Sequence, residues 1–218
     1  MPCLSYNQIM SIPRRLLSLQ RRLLPIEHDD LADAEDGTAP RRASVLILLH
    51  PVQSEPYFVL TLRPPTLARH PGQIALPGGV AEPHDQSPWH TAVRETEEEI
   101  GLRSDRLQSL GRLPRFHVQV SNYSIAPFVA WNPVTPWLHP DPREVAEMFH
   151  VPLSILTDSG AVEVETWDLR GQLYQVTFYR FGDHRIWGAT ARILNDLAER
   201  LEPLRPRPSQ PPGSVVPA

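Results

Sequence analysis

Four glutamates stand close together near the middle of this 218-residue chain, in the run RETEEEI that begins at Arg94. In a helix that turns ~100° per residue, Glu95, Glu98 and Glu99 fall on one side, because residues three and four apart are neighbours. Carboxylates at that spacing repel one another, and Mg²⁺ and Mn²⁺ prefer carboxylate oxygen. The pattern therefore indicates a divalent metal site, whereas Glu97 points elsewhere.

Two neighbouring features decide between that site and an ordinary acidic surface. Glutamate is a good helix former and acidic runs are usually solvated, so the acids alone favour a surface helix. Arg94, four residues before Glu98, can pair along the helix or brace a neighbouring carboxylate. The Pro-Gly-Gly turn at residues 77–79 can bring backbone close to an anion or a metal. Arg94 and the glycine turn together favour a metal-binding site over a solvated surface.

The acids need a helix whose opposite side is buried. That side is formed by Trp89, Ala92, Val93, Thr96 and Ile100, which predicts a helix over residues 89–100. Gly101 follows at the position where helices commonly end. Apolar runs bounded by turn residues predict strands at Val45–Leu49, Tyr57–Leu62, Ile74–Leu76, Leu107–Leu113, Tyr123–Trp131, Val162–Leu169 and Leu173–Phe181. Apolar spacing from Ile186 to Leu201 predicts a C-terminal amphipathic helix.

The two ends of the chain differ from the middle. Leucines and arginine pairs between Ile12 and Leu24 predict an amphipathic helix that packs on the domain; a basic helix on a membrane surface is the alternative. Residues 29–40 have the composition of a linker, and the six prolines of residues 203–218 predict a disordered tail. We expect an N-terminal helix and linker at 1–43, one domain at 44–202 and a tail at 203–218.

Composition excludes several classes of protein. A net charge of -4 removes the basic field that nucleic acid requires, so no nucleic-acid partner is expected. The single cysteine, Cys3, cannot form an internal disulfide, and no apolar run is long enough to span a membrane. No secretory signal is recognised at the N-terminus. We therefore expect a cytoplasmic protein without a membrane partner, whose oligomeric state is left open.

Residues 94–102, RETEEEIGL, resemble the second half of the Nudix box, with Thr96 where an aliphatic residue is usual. The first half differs more. The interval from Gly79 to Arg94 is one residue longer than in the common box, and Gln86 stands where a glutamate would fall. Glu82 and Asp85 are the nearby acids, and the role of that glutamate is left unassigned.

The longer first half is similar to the Nudix subgroup that hydrolyses coenzyme A. The run HPGQIALPGG at residues 70–79 carries most of this resemblance, with Leu76 where phenylalanine is common and Ala68 where arginine is common. Further similarity lies in Leu62-Arg63, in Glu144-Val145 before Val151-Pro152-Leu153, and in WGATA at residues 187–191. The resemblance extends over roughly residues 44–201.

The resemblance implies an α/β/α sandwich with a mixed β-sheet, and Mg²⁺ or Mn²⁺ as cofactor. It implies that Glu98 and Glu99 bind metal, and that Glu95 either binds metal or accepts the proton of the attacking water. Arg94 would orient Glu95 by hydrogen bonding, and a Gly78 or Gly79 carbonyl would be a further ligand. Glu144 is the candidate for an additional loop acid, although a surface glutamate at a strand start is slightly favoured.

The substrate implied is a small molecule, coenzyme A, cleaved to 4′-phosphopantetheine and adenosine 3′,5′-bisphosphate. Arg63, Arg69 and His70 precede the glycine turn, where they either contact phosphate or are solvated loop charges. One alternative is a Nudix hydrolase of ADP-ribose or another nucleoside diphosphate derivative. Another is a non-catalytic binding module on the same fold, which would lack one of the three acids.

Overall fold

A parallel pair of apolar strands forms the centre of the molecule, β1 (Arg41–Val52) and β7 (Tyr123–Trp131). The computed structural model describes residues 11–27, 39–67, 70–169 and 171–201. Alternate side chains of β1 point to opposite faces, with Leu46 and Leu48 on one face and Ile47 and Leu49 on the other. All four are fully buried, so both faces of the sheet are covered.

The remaining strands extend this pair on both sides. Within the described residues the sheet has eight strands, and its longest path runs β3-β2-β1-β7-β5, with β4 on β1, β6 on β7 and β8 on β2. These strands are β2 (Glu55–Leu62), β3 (Ile74–Ala75), β4 (Gly78–Val80), β5 (Gln108–Arg112), β6 (Phe116–Val118) and β8 (Glu147–Pro152). A second, antiparallel sheet consists of β9 (Val162–Leu169), β10 (Gln172–Phe181) and β11 (His184–Ile186).

Helices cover both faces of the central sheet. The face with Leu46 and Leu48 packs against α2 (Pro88–Ile100), through Ala92 and Ile100. The opposite face packs against α1 (Arg14–Gln20) and α3 (Gly188–Leu201). The predicted α/β/α sandwich with a mixed β-sheet is therefore confirmed.

Helix α2 begins and ends where its sequence indicates. The Ser87 side chain accepts a hydrogen bond from the His90 amide at 3.1 Å, and Pro88 occupies the first turn, where a missing N–H is harmless. Gly101 takes a left-handed conformation at φ 65° and ends the helix, as predicted.

Several element boundaries differ from the sequence prediction. Helix α1 is shorter than Ile12–Leu24, because Leu24 leaves it to exchange backbone hydrogen bonds of 2.9 Å with Arg112 of β5. Strand β1 begins at Arg41, before the predicted domain boundary at residue 44. Ile186 belongs to β11 rather than to the C-terminal helix. Four strands were not predicted, because each is short or lacks clear apolar alternation: β4, β6, β8 and β11.

Some sequence predictions fall where nothing is described. The predicted tail, most of the predicted linker and Arg69 lie outside the described residues. Of the helices that are described, none has the length and apolar character needed to cross a bilayer.

Helix α1 offers a stability test with an internal control. Leu19 is fully buried against the sheet and α3, whereas Leu17 on the same helix is 41% exposed. We expect Leu19→Ala to lower the free energy of unfolding by ~2–5 kcal/mol, through lost burial and a residual cavity. Leu17→Ala should change it by less than ~0.5 kcal/mol. Urea unfolding measures both, and equal effects would show that α1 does not pack as described.

Candidate active site

The glycine turn lies directly beside the acidic helix. Strand β4 pairs with the start of β1, where Val45 is opposite Gly78 and Ser44 is opposite Gly79. A Cβ on Gly79 would overlap the Glu95 carboxylate. Gly78 adopts φ 144°, and a Cβ there would collide with the backbone oxygen of Ser44. Backbone sterics therefore require glycine at residue 78, whereas a side chain at residue 79 would displace the Glu95 carboxylate. The two glycines let backbone approach the carboxylates of α2.

Glu99 is the acid that is most removed from water. It is only 4% exposed, and its Oε2 accepts a hydrogen bond of 3.0 Å from the Gly78 amide. The nearest cation is Arg63, whose Nη1 lies 4.0 Å from Glu99 Oε1. Burial raises the pKa of Glu99 to about 8, and the charges of Glu144 and Glu95 act in the same direction.

Glu95 and Glu98 share one arginine but differ in exposure. Arg94 donates to Glu95 Oε1 from Nη2 at 3.0 Å and to Glu98 Oε2 from Nη1 at 2.9 Å. Burial raises the pKa of Glu95, partly offset by Arg94, whereas the Glu98 side chain is 58% exposed. Glu97 points away from this group, as predicted. Its carboxylate accepts a hydrogen bond from the Ser104 hydroxyl.

Asp85 is the partner of Arg94 that the sequence analysis left unassigned. Its side chain is 2% exposed and accepts two hydrogen bonds from Arg94, from Nε at 2.9 Å and from Nη2 at 3.0 Å. The Thr91 hydroxyl also donates to it at 2.9 Å, and His90 Nδ1 lies 3.0 Å away. Arg94 holds the pKa of Asp85 far below its usual range. Asp85 thus fixes the guanidinium that contacts Glu95.

The longer loop before α2 explains why this residue was missed. The Glu82 amide donates to Asp85 Oδ2 at 2.9 Å, so the loop folds back and aims this carboxylate at Arg94. Gln86, which stands where the box places its glutamate, is exposed. The available signal was an acid just before the helix cap at Ser87, where a helix N-terminus favours negative charge.

A loop after β7 brings a further acid to the group. Its backbone caps the end of α2, with the His139 amide donating to Ile100 at 2.8 Å and the Asp141 amide to Glu99 at 2.8 Å. Glu144 follows in this loop, close enough for its charge to raise the pKa of both Glu95 and Glu99. Glu144 itself is exposed, so it is a surface acid that borders this group.

The acidic side chains of α2 are not arranged around a common point. Among the described residues no three Asp, Glu, His or Cys side chains are placed to hold an ion together. The reason is that Arg94 draws Glu95 and Glu98 to one side, while the Gly78 amide holds Glu99. The donor set still fits Mg²⁺ or Mn²⁺: hard oxygens, a buried carboxylate with a raised pKa, and a helix C-terminus that favours cations.

A cavity of about 280 Å³ opens beside these residues, between the sheet and the first turn of α3. Arg63, His70, Gly78 and Gly79 line it on the side of the acids. The Arg63 Nε is buried and has no hydrogen-bond partner in the described part of the chain. Arg63 and His70 are therefore both placed where a ligand would meet them.

The buried Glu99 predicts an unusual pH dependence of stability. Between pH ~4.5 and ~8 the folded, metal-free protein retains a proton on Glu99 that the unfolded chain has released. The free energy of unfolding should therefore fall as pH rises through this window, by up to ~1.4 kcal/mol per pH unit from this residue. Urea unfolding in the presence of a chelator should show this slope in wild type, and Glu99→Gln should remove that component. Identical slopes in the two proteins would contradict the burial of Glu99.

The chain is similar in sequence to several known proteins. The NUDIX domain model matches residues 40–170. A Nudix hydrolase NudL of Photorhabdus laumondii is 39% identical over 162 residues, covering 74% of this chain and 86% of the relative. A NudL of Pectobacterium atrosepticum is 36% identical over 166 residues, covering 74% and 83%. The solved structure of RenU, a Nudix hydrolase from M. smegmatis, aligns at 22% identity and a TM-score of 0.47, covering 55% of this chain and 75% of that one.

The match to the family model spans more than half of the chain and includes the glycine turn and the acids of α2. The chain belongs to the Nudix family and is a pyrophosphohydrolase.

Proposed function

We propose that this hydrolase cleaves the diphosphate bond of coenzyme A or its derivatives, giving 4′-phosphopantetheine and adenosine 3′,5′-bisphosphate. One observation carries the proposal. Two distant stretches that resemble the coenzyme A subgroup, within residues 70–79 and 187–191, line the same cavity. That cavity borders the glycine turn and Arg63, which also neighbours Glu99. A substrate lying across the acids would therefore contact both stretches.

We propose that Glu98 and Glu99 bind a divalent metal ion, with the Gly79 carbonyl and Glu144 as further oxygen donors. Nudix hydrolases generally use divalent ions. Such an ion supplies positive charge that offsets the charge of the diphosphate and makes water a stronger nucleophile. The raised pKa of Glu99 supports this assignment, because a buried carboxylate is more stable as an anion beside a cation.

The protein groups then move a proton and orient the acids. We propose that Glu95 either binds the ion or accepts the proton of the attacking water, while Arg94 holds its carboxylate in place. The water oxygen bonds to one phosphorus, the bridging P–O bond breaks, and the leaving phosphate oxygen keeps the electron pair. Asp85 acts through Arg94 as a positioning residue, since it contacts the guanidinium rather than the acids.

Arg63 and His70 are the proposed contacts to substrate phosphate. The unpaired Nε of Arg63 supports this role, because a buried guanidinium nitrogen without an acceptor is unfavourable until an anion supplies one. His70 lines the same cavity, and Arg69 keeps the predicted role of a third contact. We also propose a cytoplasmic location and retain one hydrolase domain between the N-terminal segment and the proline-rich tail.

A substrate panel tests the proposal together with two acid variants. Purified protein with Mg²⁺ or Mn²⁺ should release both expected products from coenzyme A, as measured by chromatography. Glu98→Gln and Glu99→Gln should each lower kcat by at least ~100-fold without loss of folding. Glu97→Gln is the matched control on the same helix and should retain full activity. Cleavage of ADP-ribose but not coenzyme A would favour the alternative substrate class.

The Asp85–Arg94 contact gives a separate prediction. Asp85→Asn keeps the shape but removes the charge that anchors the guanidinium, so kcat should fall by ~10–100-fold. Asp105→Asn changes an exposed acid near the far end of α2 and should leave kcat unchanged. Wild-type kcat in Asp85→Asn, measured with the same substrate, would show that Arg94 is held adequately without this carboxylate.

A further inference from the structure

The interior of the cavity differs in chemistry from the side that faces the acids. Branched aliphatic side chains line most of the cavity, and we call this part the apolar chamber: Val45, Ile74, Leu76, Val80, Val118, Ile125 and Ile193. Arg63 and His70 are the basic side chains of the described lining, and no carboxylate belongs to it. The chamber can therefore bury apolar groups, whereas a charged group deep inside would lack a partner.

The position of the chamber makes it a site for one half of the substrate. Gly78, Gly79 and Arg63 line it and also lie against the acids of α2. A diphosphate held at those acids therefore has one substituent next to the chamber and the other facing away. The chemistry of the walls decides which substituent enters.

The walls suit an uncharged chain better than a phosphorylated nucleoside. A 3′-phosphate would bring two negative charges to a space with apolar walls, at a large desolvation penalty. The Tyr123 and Trp187 rings of the cavity lining, which could stack on a base, already pack against other side chains. Arg41 lies 5.1 Å over the Tyr123 ring and donates to its hydroxyl at 2.7 Å, and Trp187 packs edge-on against Trp167 at 5.2 Å.

Thr190 and Tyr123 have hydrogen bonds of their own, and two further polar side chains interrupt the apolar walls. Gln73 and Ser121 line the cavity, and neither side chain has a hydrogen-bond partner within the described residues. Isolated polar groups in an apolar pocket usually orient a ligand. An amide and a hydroxyl at these positions match a chain in which methylene groups alternate with amides.

We propose that the apolar chamber holds the uncharged, amide-containing chain of the substrate, and that the phosphorylated nucleoside binds outside it. This inference rests on the proposed hydrolysis of coenzyme A. The walls formed by β6, β7 and the first turn of α3 then account for a preference for a chain over a second sugar or base.

Filling the chamber tests the assignment with the two products as separate probes. Ala189 lies on the first turn of α3 and lines the cavity, so Ala189→Phe should fill part of the chamber. In the full-length enzyme, inhibition by 4′-phosphopantetheine should weaken roughly tenfold or more, with KM for coenzyme A rising in parallel. Inhibition by adenosine 3′,5′-bisphosphate should stay within roughly twofold of wild type. Asn195→Phe, which adds the same ring on the exposed side of α3 outside the cavity, should resemble wild type for both probes.

The outcomes separate this inference from the proposed function. Weaker inhibition by adenosine 3′,5′-bisphosphate alone would place the nucleoside in the chamber and overturn the inference. Equal weakening for both products would overturn it as well. A wild-type enzyme that cleaves ADP-ribose but not coenzyme A would overturn the proposed function instead. Val118→Phe fills the chamber from β6 and should give the same selective effect if Ala189→Phe does not fold.

Discussion

The carboxylate of Glu99 is held out of water between α2 and the glycine turn, with the Gly78 amide as its hydrogen-bond donor. A buried carboxylate with so few partners is unfavourable as an anion, and this is why its pKa rises to about 8. The surrounding structure imposes this position. Ala92 and Ile100 fix α2 on the sheet, and the loop through Asp141 caps the end of the helix. Burial of Glu99 therefore lowers the stability of the folded protein at a residue that we propose as a metal ligand.

Arg94 organises the other two acids of this helix, Glu95 and Glu98. It is bound by Asp85 in two hydrogen bonds, so its charge is directed at Glu95 and Glu98 in a defined geometry. Without that anchor a long side chain would lose much of its effect to conformational freedom. The acidic face therefore consists of two parts: Glu95 and the exposed Glu98, which are organised by an arginine, and the buried Glu99, which is organised by backbone.

The acids and the cavity lie on opposite faces of the central sheet. The face under α2 carries the acids, whereas the opposite face, under α3, carries the cavity. Strand β1 connects the two faces, because its first residues pair with the glycine turn and also line the cavity through Ala43 and Val45. In the proposed complex the substrate extends past the first residues of β1, so its diphosphate and its substituent meet different environments.

Local sequence was sufficient for the parts of the site that depend on local geometry. The spacing of Glu95, Glu98 and Glu99 on one helix, the cap at Gly101 and the need for glycine at the turn follow from helical periodicity and backbone sterics. Apolar runs bounded by turn residues identified most of the strands, whereas the sandwich followed from the resemblance of residues 44–201 to a known family. Helical periodicity also separated Glu97 from the other acids.

Tertiary structure decided what depends on distant residues meeting. Asp85 rather than Gln86 anchors Arg94 because a longer loop folds back on itself, which no spacing rule states. Glu99 and Glu98 are equal in sequence, yet one is buried and the other exposed, since only packing against β4 and β1 distinguishes them. Residues 70–79 and 187–191 share a cavity only after β3 and α3 pack together. Sequence by itself determined which side chains could do the chemistry; the packing of distant elements decided their exposure, their charge and their neighbours.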